Sequence, residues 1–342
     1  MRRRGLLGLG LTAGLLPHLA RAQDASARPP LTLLDTVFAP TAEAYGRSLN
    51  RLADTLREGC TVPERRQEMV QTFAGVMTAW GRLQPLIQGP LGDVVLASRI
   101  AYWPDKHGTG GRQLGAALKS RDAALTDPAA LAQKSAAVSG LPALERLLFP
   151  DDGGGDAAAR SYACAYAAAL VQVQKDRAAQ AGAVFARGRR DPEPVFQGAF
   201  ASMRDGLDFM LRLKLEDPMG SEPGAARGSR AELWRSGSSL AVIDANLAAF
   251  QSLMTDPAGI GQRLDLGPES AAAAAIIEHR LAVARQVVAA IPMPLHEAVE
   301  HPAARPAVIE LARQIRELRS RVVDRLGPAL GVTSGFNAMD GD

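Results

Sequence analysis

The sequence predicts an all-α protein built from two helical-bundle domains packed against each other. Three observations carry this. Alanine and leucine are abundant, while aromatics make up only 5% of the 342 residues, a balance that favours helix over strand. Apolar residues recur at three- and four-residue spacing through most of the chain, as one buried helix face requires. No run alternates apolar and polar residues between turn signals, so no strand or hairpin is expected.

The elements follow in order. From Leu31, the residues Leu34, Val37, Phe38, Tyr45, Leu49, Leu52 and Leu56 keep helical spacing, with an interruption expected near Pro40, and Gly59-Cys60-Thr61-Val62-Pro63 forms a turn. Val70, Phe73, Val76, Met77, Trp80 and Leu83 define a second long helix that stops before Gly89-Pro90. A shorter segment runs from Leu91 to Tyr102 and is broken by Trp103-Pro104-Asp105-Lys106-His107-Gly108. Short helices are expected over 112–119 and 128–138.

Gly140 breaks the pattern again, and Pro142 suits a first helical turn, where its missing N–H has no intrahelical partner to lose. Leu141, Leu144, Leu148 and Phe149 then form a core-facing stripe that Pro150 and the run Asp151-Asp152-Gly153-Gly154-Gly155 end. A long alanine-rich helix follows to Arg187. Gly188-Arg189-Arg190-Asp191-Pro192-Glu193-Pro194 is polar and proline-punctuated, and divides a first domain, 31–188, from a second, 195–342. Helices are expected there over 195–215, 229–254, 268–290 and 303–326, with a Gly-, Pro- and Ala-rich loop at 217–228. Long helices in each half point to two bundles in series.

The N-terminus reads as an export signal over residues 1–22. Arg2-Arg3-Arg4 is a basic region, Gly5 to Leu19 an apolar one, and Ala20-Arg21-Ala22 a small-x-small cleavage site. Arg3-Arg4-Gly5-Leu6-Leu7 also fits a twin-arginine pattern, so both the general secretory and the twin-arginine routes stay open. The segment is short for a membrane span, none is expected after cleavage, and no cysteine at the cleavage site offers a lipid anchor. The expected location is the periplasm.

Cleavage would remove four arginines and no acid, leaving 35 basic against 36 acidic residues. A chain so nearly neutral has no general attraction for nucleic acid or anionic lipid. Two cysteines remain, Cys60 and Cys164. In an oxidising compartment a pair is expected to bridge, the alternative being two unrelated buried thiols.

Candidate chemistry gathers around Glu145, which follows Leu144 on the apolar stripe. A carboxylate buried there must find a partner or take a proton. It either caps or pairs as a structural residue, or marks a polar site. Arg99 or Arg235 would neutralise it by a bidentate pair, and Trp103 and Trp234 would wall the site from water, the alternatives being helix-end arginines and core tryptophans. His296-Glu297-Ala298-Val299-Glu300-His301 matches neither His-Glu-x-x-His nor His-x-x-Glu-His and reads as a solvated charged turn. No Gly-x-x-x-x-Gly-Lys phosphate loop or Gly-x-Ser-x-Gly elbow is present.

Several segments together resemble the imelysin-like proteins, and within them the periplasmic subfamily of predicted lipoproteins. They are Gly140–Phe149, Trp80-Gly81-Arg82-Leu83-Gln84-Pro85, Arg99-Ile100-Ala101-Tyr102-Trp103-Pro104-Asp105, Lys214-x-x-x-Pro218-x-Gly220, Glu232–Leu240 and the tail Gly335–Asp342. The family signature is Gly-x-His-x-x-Glu. Gly140 and Glu145 match it, and Pro142 stands at the histidine.

The resemblance implies two bundle-like domains facing each other and a part in bacterial iron uptake. The expected role is a non-enzymatic binding or accessory factor, with a polar pocket drawn from Trp80, Arg99, Trp103, Asp105, Glu145, Trp234 and Arg235. Its partner would be a small ligand or a periplasmic iron-uptake component, and iron is implied by the resemblance alone. A periplasmic metallopeptidase is the main alternative, since founding members were described as peptidases with metal-like ligands. Hydrolytic zinc needs three protein ligands and an open position. Pro142 supplies none, so no catalytic or metal-ligating residue is assigned. A scaffold binding a peptide or protein is the third reading.

Overall fold

Pro40 does not break the helical run, which continues through it from a π-turn just before it. In the computed structural model, which describes residues 31–105, 107–150, 155–188, 191–262 and 268–331, a π-turn at Leu34–Phe38 leads directly into α1, Ala39–Gly59. Pro40 occupies the first turn of α1, directly after the π-turn, and the local change in helical pairing there accommodates a residue with no N–H. The expected signal segment 1–22, Asp151–Gly154, the pair Arg189-Arg190 and the tail motif Gly335–Asp342 lie outside the described residues.

Then come α2, Arg66–Gln88, and α3, Val94–Ile100, capped by Asp93, whose side chain accepts from Leu96 N at 2.9 Å. Four short helices take up the loosely patterned stretch: α4, Thr109–Ser120; α5, Pro128–Ala132; α6, Ala136–Ser139; and α7, Leu141–Leu148. The helix expected over 128–138 is thus two, because Ser135 folds its hydroxyl onto Ala137 N at 3.2 Å and restarts the helix. The long α8, Ala157–Arg187, completes the first half.

The second half opens with α9, Pro192–Phe209, which passes through a π-turn at Met210–Glu216 into α10, Asp217–Met219. It continues with α11, Ser239–Thr255; α12, Pro268–Ala290; α13, Leu295–Ala298; and α14, Arg305–Arg321. A further π-turn, Val322–Leu326, and α15, Gly327–Ala329, end the described chain. Among the described residues there is no strand, and the fold is all-α.

In the first half α1 packs on α2 and α8, and α7 lies on α8. In the second, α12 packs on α11 and α14. Helix α2 also packs along α11 and against α9, so it touches both halves, and the described residues from Leu31 onward form one compact unit. The close crossing of α2 and α11 requires Gly81. A Cβ there would fall 2.7 Å from Ala245 Cβ and 2.9 Å from the Val242 carbonyl. Cys60, just past α1, is bonded to Cys164 on α8, so α1 and α8 are joined covalently as well as packed.

The largest departure from expectation is at 229–238. Helical spacing predicts a helix over 229–254, but only α11, from Ser239, forms. The serines of Ser236-Gly237-Ser238-Ser239 bond to local backbone instead of supporting a helix. Ser239 Oγ donates to the Glu232 carbonyl at 2.5 Å, and Ser238 N to the Leu233 carbonyl at 3.2 Å. Gly237 (φ 69°) and, unusually for a leucine, Leu233 (φ 53°) adopt left-handed backbone.

Candidate functional site

Two buried side chains on α8 set the position of the motif helix α7. Arg177 donates to the carbonyls of Arg99 and Ser139, each at 2.5 Å, and to Ser139 Oγ at 2.8 Å. Gln174 donates to the carbonyls of Ile100 and Ser139, and accepts from the Tyr45 hydroxyl at 3.0 Å. These carbonyls are the frayed ends of α3 and α6, which need donors once buried. Burial pulls the Arg177 guanidinium down to about 10. Gly140 follows directly, and a Cβ there would meet the Ala136 carbonyl at 2.8 Å, so glycine lets α6 pass into α7 without a gap.

Helix α7 then carries Glu145 inward, where it is 2% exposed. Its partner is neither Arg99 nor Arg235 but Ser236, from the irregular turn of the other half. Ser236 N donates to Oε1 at 2.9 Å and Ser236 Oγ donates to the same oxygen at 2.7 Å. Burial raises the Glu145 carboxyl above its ordinary range. The two Ser236 hydrogen bonds and then the Arg235 charge pull it back only in part.

A raised folded-state pKa means the native chain binds this proton more tightly than the unfolded chain. That contribution is full below the ordinary value of 4.5 and is lost as pH rises through the folded value. Glu145→Gln keeps an oxygen for Ser236 and removes the charge. It is expected to match or exceed the parent in stability at pH 7, with the difference closing as pH falls toward 4.5. Urea unfolding of both proteins across that range checks it. A variant less stable at pH 7 would show that the carboxylate charge is needed.

Glu145 borders a cavity of about 550 Å³ lined from both halves of the chain. Trp103, Asp105, Glu145, Trp234 and Arg235 all line it, together with Pro142 of the motif and with Arg146, Asp217 and Arg230, which the sequence reading did not single out. Trp103 donates its Nε1 hydrogen to the Arg230 carbonyl at 3.3 Å and meets Phe209 edge-on at 5.9 Å. Asp105 accepts from Thr109 N and Gly110 N, each at 2.8 Å, and so caps α4. Trp234 carries the Arg235 guanidinium 4.3 Å from its ring centroid and has His296 at 5.8 Å.

Two expected site residues lie elsewhere. The Arg99 side chain is exposed on α3, and its part is the carbonyl that Arg177 binds. Its position near the end of a seven-residue helix turns it to solvent. Trp80 is fully buried and donates to Glu232 Oε1 at 3.3 Å.

Trp80 belongs to a second polar cluster behind the cavity wall. Lys214 Nζ lies 2.7 Å from Glu232 Oε2 and donates to Gln84 Oε1 at 2.5 Å and Asn246 Oδ1 at 2.7 Å. Gln84 donates to Glu232 Oε1 at 3.0 Å, and Asn246 to the Gly81 carbonyl. Both charged side chains are at most 3% exposed. Burial pulls the Lys214 ammonium down, and Glu232 opposes that. A lysine inside the apolar run Met210-Leu211-Arg212-Leu213-Lys214-Leu215 was the available signal.

These residues do not fit a hydrolytic metal centre. Among the described residues no three His, Cys, Asp or Glu side chains come together as a metal site. Pro142 has no donor, and Glu145 Oε1 already accepts two hydrogens from Ser236. His296 lies against Trp234, and Glu300 accepts from Gly228 N at 2.9 Å. The 296–301 segment is therefore partly tied into the fold, not wholly a solvated turn.

Fold and site together define an all-α protein with a polar, tryptophan-flanked cavity lined by both halves. The chain belongs to the imelysin family, peptidase family M75, whose sequence model matches residues 38–322. Its fold is similar to that of an imelysin-like protein from Psychrobacter arcticum 273-4, with a TM-score of 0.73 and 19% identity over 89% of this chain and 95% of that one. It is also similar to a Parabacteroides distasonis ATCC 8503 protein assigned as an iron-regulated protein A precursor. There the TM-score is 0.64 and the identity 11%, over 87% and 97% of the two chains. At these identities the likeness concerns the fold. No curated protein matches the chain.

Proposed function

We propose that this imelysin-family protein is an exported, non-enzymatic binding or accessory factor in bacterial iron uptake, with its ligand in the cavity between residues 31–188 and 195–342. The observation that carries this reading is the cavity itself, with Glu145 of the family motif held at its wall by Ser236 of the other half. A cavity of this volume is within the range that takes small molecules. Proline at the signature histidine argues for binding over hydrolysis. The iron-regulated assignment of one structural neighbour favours iron, and the disulfide accords with an oxidising compartment.

The test is a deletion strain grown under iron limitation. Slowed growth is expected, restored by the parent gene but not by Trp234→Ala, with the protein recovered in the periplasmic fraction. Stoichiometric zinc in the purified protein, together with peptide hydrolysis, would overturn the reading.

A further inference from the structure

Glu145 is held through one carboxyl oxygen only. Ser236 gives both of its hydrogens to Oε1, and Oε2 has no partner among the described residues. The side chain is buried except where it borders the cavity, so Oε2 opens there. Its surroundings disfavour the charged form. Oε1 already accepts two hydrogens, so the acid proton belongs on Oε2 and makes that oxygen a donor toward the cavity.

Tyr102 and Trp234 in the same wall carry a hydroxyl and an indole N–H that likewise have no partner among the described residues. All three groups are uncharged donors. Such a set suits a ligand with oxygen acceptors and offers a bare cation little. The other two acids of the wall are occupied. Asp105 accepts from two backbone N–H groups, and Asp217 pairs with Arg230 at 3.0 Å.

We propose that the cavity takes an iron chelate and not the bare ion, with an oxygen of the chelator accepting a hydrogen bond from Glu145 Oε2. The proposal rests on reading the cavity as the iron-ligand site. Its consequence is proton-linked binding. An ionised carboxyl has no hydrogen to give and repels the acceptor, so affinity should be full below the folded-state pKa of Glu145 and fall by about tenfold per pH unit above it. The fall lies above 4.5, since burial raises this carboxyl. The charges facing Glu145 are mixed. Arg146 adjoins it on α7, Glu232 and Arg235 come from the turn, and Arg177 on α8 is turned to the Ser139 carbonyl. One imidazole, His296, packs on Trp234, and its own titration needs a control.

Calorimetric titration of the purified protein with ferric citrate, ferric acetohydroxamate and Fe²⁺ without chelator, from about pH 5 to 8, tests this. At least one chelate should bind, and the stronger shows whether carboxylate or hydroxamate oxygens suit the site. Glu145→Gln keeps a donor at the free position and cannot ionise, so its affinity should hold where that of the parent falls. The ratio of the two affinities at each pH cancels the titration of the chelator itself. Glu145→Leu, with no donor, should bind about tenfold more weakly than the parent at low pH. His296→Gln should keep the parent's pH profile. If Glu145→Gln does not fold, the infrared band of the protonated carboxyl in the parent serves, and it should shift when the chelate binds. No binding by either chelate, equal pH profiles in parent and Glu145→Gln, affinity that rises as Glu145 ionises, or an unshifted carboxyl band overturns the proposal. Binding of bare Fe²⁺ in place of the chelates, lost in Trp234→Ala, also overturns it while leaving the cavity as the ligand site. The wider reading fails separately, in iron-limited growth.

Discussion

Lys214→Met is expected to lower the unfolding free energy by about 3–5 kcal/mol, the usual consequence of removing one partner from a buried ion pair. Methionine keeps the length and apolar stem of lysine, so little is lost in packing. What changes is that Glu232, 2% exposed, loses its cation and must hold a buried charge alone or take a proton, while Gln84 and Asn246 each lose a donor. Adding Glu232→Gln should recover a good part of the loss, because the stranded charge goes with it. Urea unfolding of the two single variants and the double variant separates the pair energy from each side chain's own contribution. If Lys214→Met unfolds like the parent, the ion pair is not buried in solution.

The same change should reach the cavity. Glu232 begins the turn that carries Trp234, Arg235 and Ser236, and it is held from behind by Lys214, Gln84 and Trp80. A turn with left-handed Leu233 needs outside support to persist. Loosening Glu232 should therefore weaken the Ser236 bonds to Glu145 and any ligand affinity that depends on Glu145.

The paired change Cys60→Ser and Cys164→Ser is expected to cost a similar amount, about 4–5 kcal/mol on the chain-entropy account of a long loop. The bridge spans 104 positions in sequence and joins the end of α1 to α8. Without it the unfolded chain gains freedom, while α1 and α8 still pack along their length. The fold should thus survive at room temperature but unfold at lower denaturant. Helical circular dichroism of the double variant should match the parent in buffer and separate from it in urea. Coincident curves for oxidised and reduced parent would show that the bridge adds nothing to stability.

Much of the architecture was legible because helical periodicity reports burial locally. Leu141, Leu144 and Leu148 point inward for the same reason that they are spaced as they are, and Glu145 goes in with them. The cysteine pair was legible from count and context alone. Capping chemistry was partly legible. Pro40 and Ser135 carry signals for starting helices, but the same residues also read as breaks, and the backbone around them decides which applies.

Partnership across the chain was not legible. The sequence determined that Glu145 would be buried and would need hydrogen-bond donors. Only the tertiary structure decided that the donors are the N–H and hydroxyl of Ser236, 91 positions away, rather than an arginine. The reason is that residues 229–238 abandon the helix their apolar spacing favours, since serine side chains compete for the backbone and Gly237 admits left-handed φ. Likewise the sequence placed Trp80 and Lys214 in helices, and only the packing of α2 against α11, at Gly81, brought them to Glu232.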